Sequence, residues 1–283
     1  MRLRTRLLLA TVALCSACAL GPVEARAQKV AADEHIEARY RVDLAGLSLG
    51  TFAVTARLNG AAYEVSANGE FSLLAGILYR ATGTTASEGQ WAKEGPKPSR
   101  FTVTFDNGSK KESRELVFAR GAVTKILLHP RKTKIGKRQV PVTKDQLEDV
   151  LDPLSAAFLY APPGGSEGTV CDRTVPVFDG KQRFDIVLKP KRTEALEEAP
   201  AGLSGNAAVC QVKYVPIGGY RPDHAGVKYV MANDDIEVWL VRLKGNALYF
   251  PYRIVMPTAW GTGTATLIEV MARPGDASGG KAG

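Results

Sequence analysis

From Glu37 onward the chain alternates polar and apolar residues with a period of two, the repeat of a strand with one buried face. Ala38, Tyr40, Val42 and Leu44 share one face; Glu37, Arg39, Arg41 and Asp43 share the other. Phe52, Val54, Ala56 and Leu58 repeat the pattern after a predicted turn at Leu47 to Gly50. Phe101, Val103 and Phe105 follow, then Phe184, Ile186 and Leu188, then Cys210, Val212 and Tyr214, which points Cys210 inward. Ile236, Val238 and Leu240 precede Phe250, Tyr252, Ile254 and Met256, and a last strand is predicted from Thr262 to Val270.

Turn chemistry agrees with this reading. Asp179-Gly180 separates Thr174–Phe178 from Lys181–Leu188, and Asn59-Gly60 and Asn107-Gly108 mark two further hairpins. Such pairs tolerate the positive φ that tight hairpins need. About ten to twelve strands are expected at the close turn spacing of an all-β domain.

Helix signals are few. Thr143 with Gln146 forms a possible capping box ahead of Leu147, Val150 and Leu151, and Asp152-Pro153 can start a second helix with Leu154, Ala157 and Phe158 as its apolar face. A shorter candidate spans Ser72 to Arg80, with Leu73, Leu74, Ile77 and Leu78. Pro190 to Asn206 is expected to be a loop, and Pro274 to Gly283 a polar frayed tail.

Each strand has one apolar face that must be covered, and two or three short helices cannot shield ten or more strands. Either two sheets pack face to face, or one long twisted sheet curls on itself. The length of the strands favours the curled sheet: an open or incomplete barrel, with the Leu147 to Tyr160 helix plugging its opening. Curling beyond about eight strands leaves more interior than side chains fill, so an apolar trough is expected. Phe52, Val54, Phe101, Val103, Phe105, Tyr214, Trp239, Phe250 and Tyr252 are the residues expected to line it. A filled core is the alternative for the same residues.

Arg2, Arg4 and Arg6 precede an apolar run from Leu7 to Leu20, and Ala25-Arg26-Ala27 offers a small-x-small cleavage site. Residues 1–27 therefore read as a secretory signal, with residues 28–273 as a single β-rich domain and 274–283 as the tail. Lipidation at Cys18 is the alternative, although Cys15 stands where such a site wants an aliphatic residue. Export places the protein in the periplasm. Cleavage would leave 33 Lys and Arg against 28 Asp and Glu, a formal charge of +5. That mild excess and the export signal argue against a nucleic-acid partner. Two cysteines, Cys171 and Cys210, remain, and an even count in an oxidising compartment predicts one disulfide, with two buried thiols as the alternative.

Candidate chemistry is sparse. Gly46-Leu47-Ser48-Leu49-Gly50 matches the G-x-S-x-G of serine hydrolases, but Thr51 to Leu58 continue it as a strand where the motif needs a helix. His35, His129 and His224 are scattered, and Asp234-Asp235 lacks the ligand series of a calcium loop. No cofactor or metal is expected. Five cations, Arg131, Lys132, Lys134, Lys137 and Arg138, crowd one stretch. They suit contact with an anionic envelope surface, or a solvated hairpin tip that keeps an edge strand from pairing.

Four segments together resemble a bacterial family, the domain-of-unknown-function family 3108. They are Leu151-Asp152-Pro153-Leu154-Ser155-Ala156, the run from Cys171 through Asp179-Gly180-Lys181, Cys210-Gln211-Val212-Lys213-Tyr214-Val215-Pro216, and Glu237-Val238-Trp239-Leu240 continuing through Pro251 and Ile254 to Pro257. The resemblance implies an exported, β-rich envelope protein and transfers no catalytic residue. More distantly the chain looks like the open-barrel lipoprotein carriers of the periplasm, a fold-level analogy.

Three functions are consistent with these features. The first is a non-enzymatic envelope protein that holds a lipid, acyl chain or other hydrophobic ligand. The others are an envelope ester or glycan hydrolase built on Ser48 or a carboxylate pair, and a scaffold that docks an envelope protein through an open sheet edge.

Overall fold

The computed structural model describes residues 34–73, 79–92, 95–131, 138–160, 167–196, 200, 203, 205–242 and 248–274. The expected signal at 1–27 lies outside them, as does the tail beyond Pro274. The first seven strands are β1 (Glu34–Leu44), β2 (Leu47–Asn59), β3 (Ala62–Leu73), β4 (Tyr79–Ala92), β5 (Gly95–Asp106), β6 (Lys111–Ala119) and β7 (Ala122–His129). After β8 (Leu159–Tyr160) come β9 (Arg173–Phe178), β10 (Arg183–Ala195) and β11 (Asn206–Gly218). A short helix α1 (Ala225–Met231) precedes β12 (Glu237–Arg242), β13 (Leu248–Thr258) and β14 (Gly261–Pro274).

Thirteen of these strands form one antiparallel path in the order β7-β6-β5-β4-β3-β2-β1-β14-β13-β12-β11-β10-β9, with β8 attached to β13. It consists of two meanders, β1 to β7 and β9 to β14, in which chain neighbours are sheet neighbours. They are joined where the first described strand pairs with the last, from Glu34↔Pro274 to Leu44↔Gly263. The sheet is not closed by pairing of its ends. Instead the segment between the meanders spans the gap: Ala122 of β7 bridges Glu148, and Val177 of β9 bridges Leu151.

The hairpins at Asn59-Gly60, Asn107-Gly108 and Asp179-Gly180 are where the sequence places them. Other expectations need correction. The β1–β2 turn is at Ala45-Gly46, both at positive φ, and Leu47 to Gly50 already belong to β2. Pro190 lies within β10, which runs on to Ala195, because the Pro–Cys210 pair sits beside a register shift that accommodates the missing N–H. The Ser72 to Arg80 candidate has Ser72 and Leu73 in β3 and Tyr79 and Arg80 in β4; residues 74–78 lie outside the described residues.

The largest correction concerns the plug. Residues 145–158 form no α-helix but two 3₁₀ turns, Asp145–Leu147 and Ser155–Ala157. Gln146 does reach back to the Thr143 N–H at 3.2 Å, as a capping box requires. Asp149 then takes φ 50°, and its N–H bonds the Gly121 carbonyl at 2.8 Å, drawing the chain onto β7 in place of a continued helix. The segment still fills the middle of the curl. Val150 packs with Phe101, Leu116, Phe118 and Phe178. Leu151 and Ala156 pack against the cluster around Cys171, Val177 and Cys210. Leu154 and Phe158 pack against the cluster of Ile36, Tyr40, Leu58, Tyr63 and Phe250.

Candidate functional site

Inside the curl lies a cavity of about 480 Å³, within the range of roughly 300–1,000 Å³ that small-molecule pockets occupy. One wall comes from β1 and β2, with Ile36, Ala38, Tyr40, Phe52, Val54 and Ala56. Leu248, Phe250, Pro251 and Ile254 of β13 face them, and Leu154, Ala157 and Phe158 of the plug close one end. These three residues are the apolar face expected of a helix there. In the 3₁₀ turn, residues three apart eclipse, so Leu154 and Ala157 still point the same way.

Two aromatic rings stiffen the wall. Tyr40 and Phe52, directly opposite in the β1–β2 register, stack with centroids 4.7 Å apart and planes 3° from parallel. The Tyr40 hydroxyl donates to the Pro251 carbonyl at 2.6 Å, and burial pushes its phenol well above the usual range. The floor is opened by two glycines opposite each other, Gly69 of β3 and Gly83 of β4. A Cβ on Gly69 would stand 2.7 Å from the Cβ of Phe52, so that glycine lets the ring lie across β3. A Cβ on Gly83 would meet nothing closer than the Thr104 carbonyl oxygen at 3.7 Å, and the space above it belongs to the cavity.

Among the described residues, charge enters the lining at one end alone, through Glu112 and Arg114 of β6. Counting back by twos from the buried Phe118 and Leu116 puts both on the inner face. The β9–β10 turn meets them across the gap between the sheet ends. Arg114 Nη1 donates to the Asp179 carbonyl at 2.8 Å and to Asp179 Oδ2 at 3.1 Å, and Lys181 Nζ pairs with Glu112. Lys110 holds the other Glu112 oxygen at 2.7 Å. Hydrogen bonds from Lys110 and Lys181 bring the Glu112 carboxyl down to a pKa of about 2.

A second polar group lies behind the plug. Asp152 is fully buried and takes four hydrogen bonds: from the Leu154 N–H at 2.9 Å, the Ser155 N–H at 3.0 Å, the Ser155 hydroxyl at 2.6 Å and the Ser87 hydroxyl at 2.8 Å. With its proton committed to Asp152, the Ser155 oxygen is left to accept from Tyr63, 2.7 Å away. The group fastens the Leu151 to Ala156 segment to β3 and β4. Burial raises the Asp152 pKa, and the hydrogen bonds from Ser155, Ser87 and Leu154 oppose that rise.

Of the residues expected in the trough, Phe52, Val54, Val103, Phe105 and Phe250 line the cavity. Phe101 is instead packed among Leu116, Phe118 and Phe178. Tyr214 tilts against Phe184 and bonds Gln182, and Tyr252 packs at the margin of the main cluster. Trp239 also reaches that cluster. Its ring lies 5.2 and 5.7 Å from the guanidinium groups of Arg192 and Arg253, and its N–H donates to Glu237. Cys171 and Cys210 form the expected disulfide, which ties the 3₁₀ turn Glu167–Cys171 to β11.

Lys132, Lys134 and Lys137 lie outside the described residues. Arg131 is exposed, and Arg138 pairs with Asp223 at 2.7 Å. Ser48 sits in β2 opposite Asp43, with no strand-to-helix turn and no hydrogen bond from any of the three histidines. The geometry of a nucleophile elbow is absent there.

None of the curated proteins matches the chain. Among solved structures, it is similar to the crystal structure of a β-barrel-like protein of domain of unknown function DUF1849 from Brucella abortus. Identity is 9%, the TM-score is 0.41, and the match covers 84% of this chain and 98% of that one. A family described as "Protein of unknown function (DUF3108)" matches residues 39–268, which takes in the cavity walls apart from Ile36 and Ala38, the plug, the disulfide and the β9–β10 turn. The chain therefore belongs to the DUF3108 family.

Proposed function

We propose that this is an exported envelope protein that acts by holding a hydrophobic ligand, an acyl chain, inside the curl of its sheet. The observation that carries the reading is the cavity of about 480 Å³ whose walls are mainly aliphatic and aromatic, with the charged groups of the described lining confined to one end. Each methylene moved from water into such a site contributes about 0.8 kcal/mol, so one chain supplies most of the affinity without polar contacts. The signal-like residues 1–27 and the disulfide support the exported setting. Binding is preferred to hydrolysis because Ser48 has neither the turn nor a histidine that a nucleophile needs.

The test is mass spectrometry of the protein extracted gently from cells, paired with titration of the purified chain by the neutral fluorophore N-phenyl-1-naphthylamine. An acyl-bearing species should co-purify, and the fluorophore should brighten on binding. Gly83→Leu, which fills the floor from a position with free space, should abolish both signals while leaving the melting temperature intact. A ligand-free protein that never binds the fluorophore refutes the reading. The same spectrum reports the mature N-terminus and so separates cleavage after Ala27 from lipidation at Cys18.

One observation favours a second reading, a protein-docking edge. Strand β7 ends the sheet with Ile126 and Leu127 at 40% and 44% exposure. Replacing Leu127 with a photocrosslinking residue in cells should then trap an envelope protein by strand addition; labelling of lipid or nothing speaks against it.

A further inference from the structure

We infer that the ligand is an anionic amphiphile, its chain directed toward the plug and its carboxylate or phosphate head held by Arg114. The inference rests on the cavity reading and adds the chemical class and orientation of the occupant.

Polarity along the cavity runs one way. At the plug end the described lining residues are Leu154, Ala157, Phe158, Leu248, Ile36 and Ala56, none of them charged. At the opposite end, among the last residues of β5 and the first of β6, stand Phe105, Glu112 and Arg114. A chain with a polar head gains from one orientation and loses from the other, because a head driven toward the plug would be desolvated with no partner.

Arg114 is prepared for an anion in a specific way. Both of its hydrogen bonds leave through Nη1, to the main chain and side chain of Asp179. Its Nε and Nη2 take no partner among the described residues. Those two nitrogens form the edge of the guanidinium that grips a carboxylate or phosphate through two parallel bonds. The side chain is 19% exposed, so its charge sits in a partly desolvated position where pairing counts for more than at a free surface.

The arginine is also held still. Asp179 Oδ1 accepts from the N–H groups of Lys181 and Gln182, each at 2.7 Å, which fixes the turn. Gly180, at φ 90°, lies against the arginine stem: a Cβ there would be 3.3 Å from Arg114 Cδ. A rigid donor pair loses little conformational freedom when a head arrives. The Asp179-Gly180-Lys181 run, part of one of the family-like stretches of the sequence, thereby acquires a role at the site beyond turning the chain.

The sign of the charge follows from a count. Lys110, Lys111, Arg114 and Lys181 oppose Asp106, Glu112 and Asp179, leaving one cation in excess among the described residues of the β5–β6 and β9–β10 turns. Glu112 is neutralised by two lysines and adds no net repulsion. A cationic head would meet the surplus charge and find the carboxylates already occupied.

The experiment is displacement of N-phenyl-1-naphthylamine from the wild-type chain by four ligands that share one alkyl chain: lauric acid, lauryl phosphate, lauryl alcohol and dodecylamine. The acid and the phosphate should displace the probe at about tenfold lower concentration than the alcohol, with the amine weakest. The stronger of the two anions names the head. Arg114→Gln should bring the acid to the potency of the alcohol and leave the alcohol unchanged, and Arg114→Lys should retain part of the preference. Equal potency of acid and alcohol on the wild type, or a preference for the amine, overturns the inference while the cavity reading stands. A probe that never binds removes both. The wild-type series decides the matter even if Arg114→Gln fails to fold.

Discussion

Ser87 of β4 donates its hydroxyl to Asp152 across 2.8 Å, and neither side chain reaches solvent. The sheet and the segment that plugs it are joined through this contact, 65 residues apart in the chain. Four donors converge on the carboxyl, so its removal leaves the Leu154 and Ser155 N–H groups without their acceptor and the Ser87 and Ser155 hydroxyls with only each other and Tyr63. Asp152→Ala is expected to destabilise the protein by about 3 kcal/mol or more in chemical denaturation. It should also raise the hydrogen exchange of residues 150–158 before that of β3 and β4.

The same carboxyl carries a pH signature. Burial raises its pKa above the ordinary 3.8. A group whose folded pKa is raised stabilises the fold most in acid, below its unfolded value, and that contribution is lost as pH rises through the folded value. Melting temperatures of the wild type and Asp152→Asn, compared from acid to neutral pH, should show the wild-type advantage shrinking as pH rises. A difference that is constant or grows contradicts the assignment.

Glu112 should behave in the opposite sense. Its pKa is depressed from 4.5 to about 2 by Lys110 and Lys181. Its stabilising effect is present above the unfolded value and is lost as pH falls toward the folded one. The stability difference between wild type and Glu112→Gln should therefore persist at neutral pH and vanish between about 4.5 and about 2, with salt weakening it throughout.

The facing glycines separate packing from void. Gly69→Ala drives a Cβ to 2.7 Å from that of Phe52 and should cost roughly 1–3 kcal/mol. Gly83→Ala meets nothing closer than 3.7 Å and should leave the melting temperature unchanged or slightly higher. If the two variants are equally destabilised, the floor of the cavity is not open at Gly83.

The Cys171–Cys210 bridge closes a loop with a sequence separation of 39, for which the chain-entropy account gives roughly 3–4 kcal/mol. Reductant and Cys171→Ser should lower the melting temperature to the same point, and reductant should not move the variant. Equal melting of the wild type with and without reductant refutes a stabilising bridge.

Much of the site was legible one strand at a time. Phe52, Val54, Val103, Phe105 and Phe250 were placed by alternation alone, because successive side chains of a strand must point to opposite faces. The same rule applied to β6 would have found Glu112 and Arg114, two charges in register with Leu116 and Phe118. Phe101, Tyr214 and Tyr252 also alternate, yet none lines the cavity, and neither does Trp239, which stands between Val238 and Leu240. Alternation states which face a residue takes, and it does not say whether that face meets another side chain or empty space. The plug shows a related limit: Thr143, Gln146 and Asp152-Pro153 signal helix locally, but the bond from Asp149 to Gly121 and the bridges to β7 and β9 hold the backbone in another form.

By itself the amino-acid order marked β1, β2, β5 and β9 to β14, three of the hairpins and the inward faces of those strands, because each rests on a short period or a turn pair, and the even count of cysteines favoured pairing Cys171 with Cys210. Tertiary structure alone decided that β1 would pair with β14, that the curl would stop short of closure, and that Arg114 would meet Asp179 from 65 residues away. Those outcomes depend on how twist accumulates over thirteen strands, a sum that no single strand records.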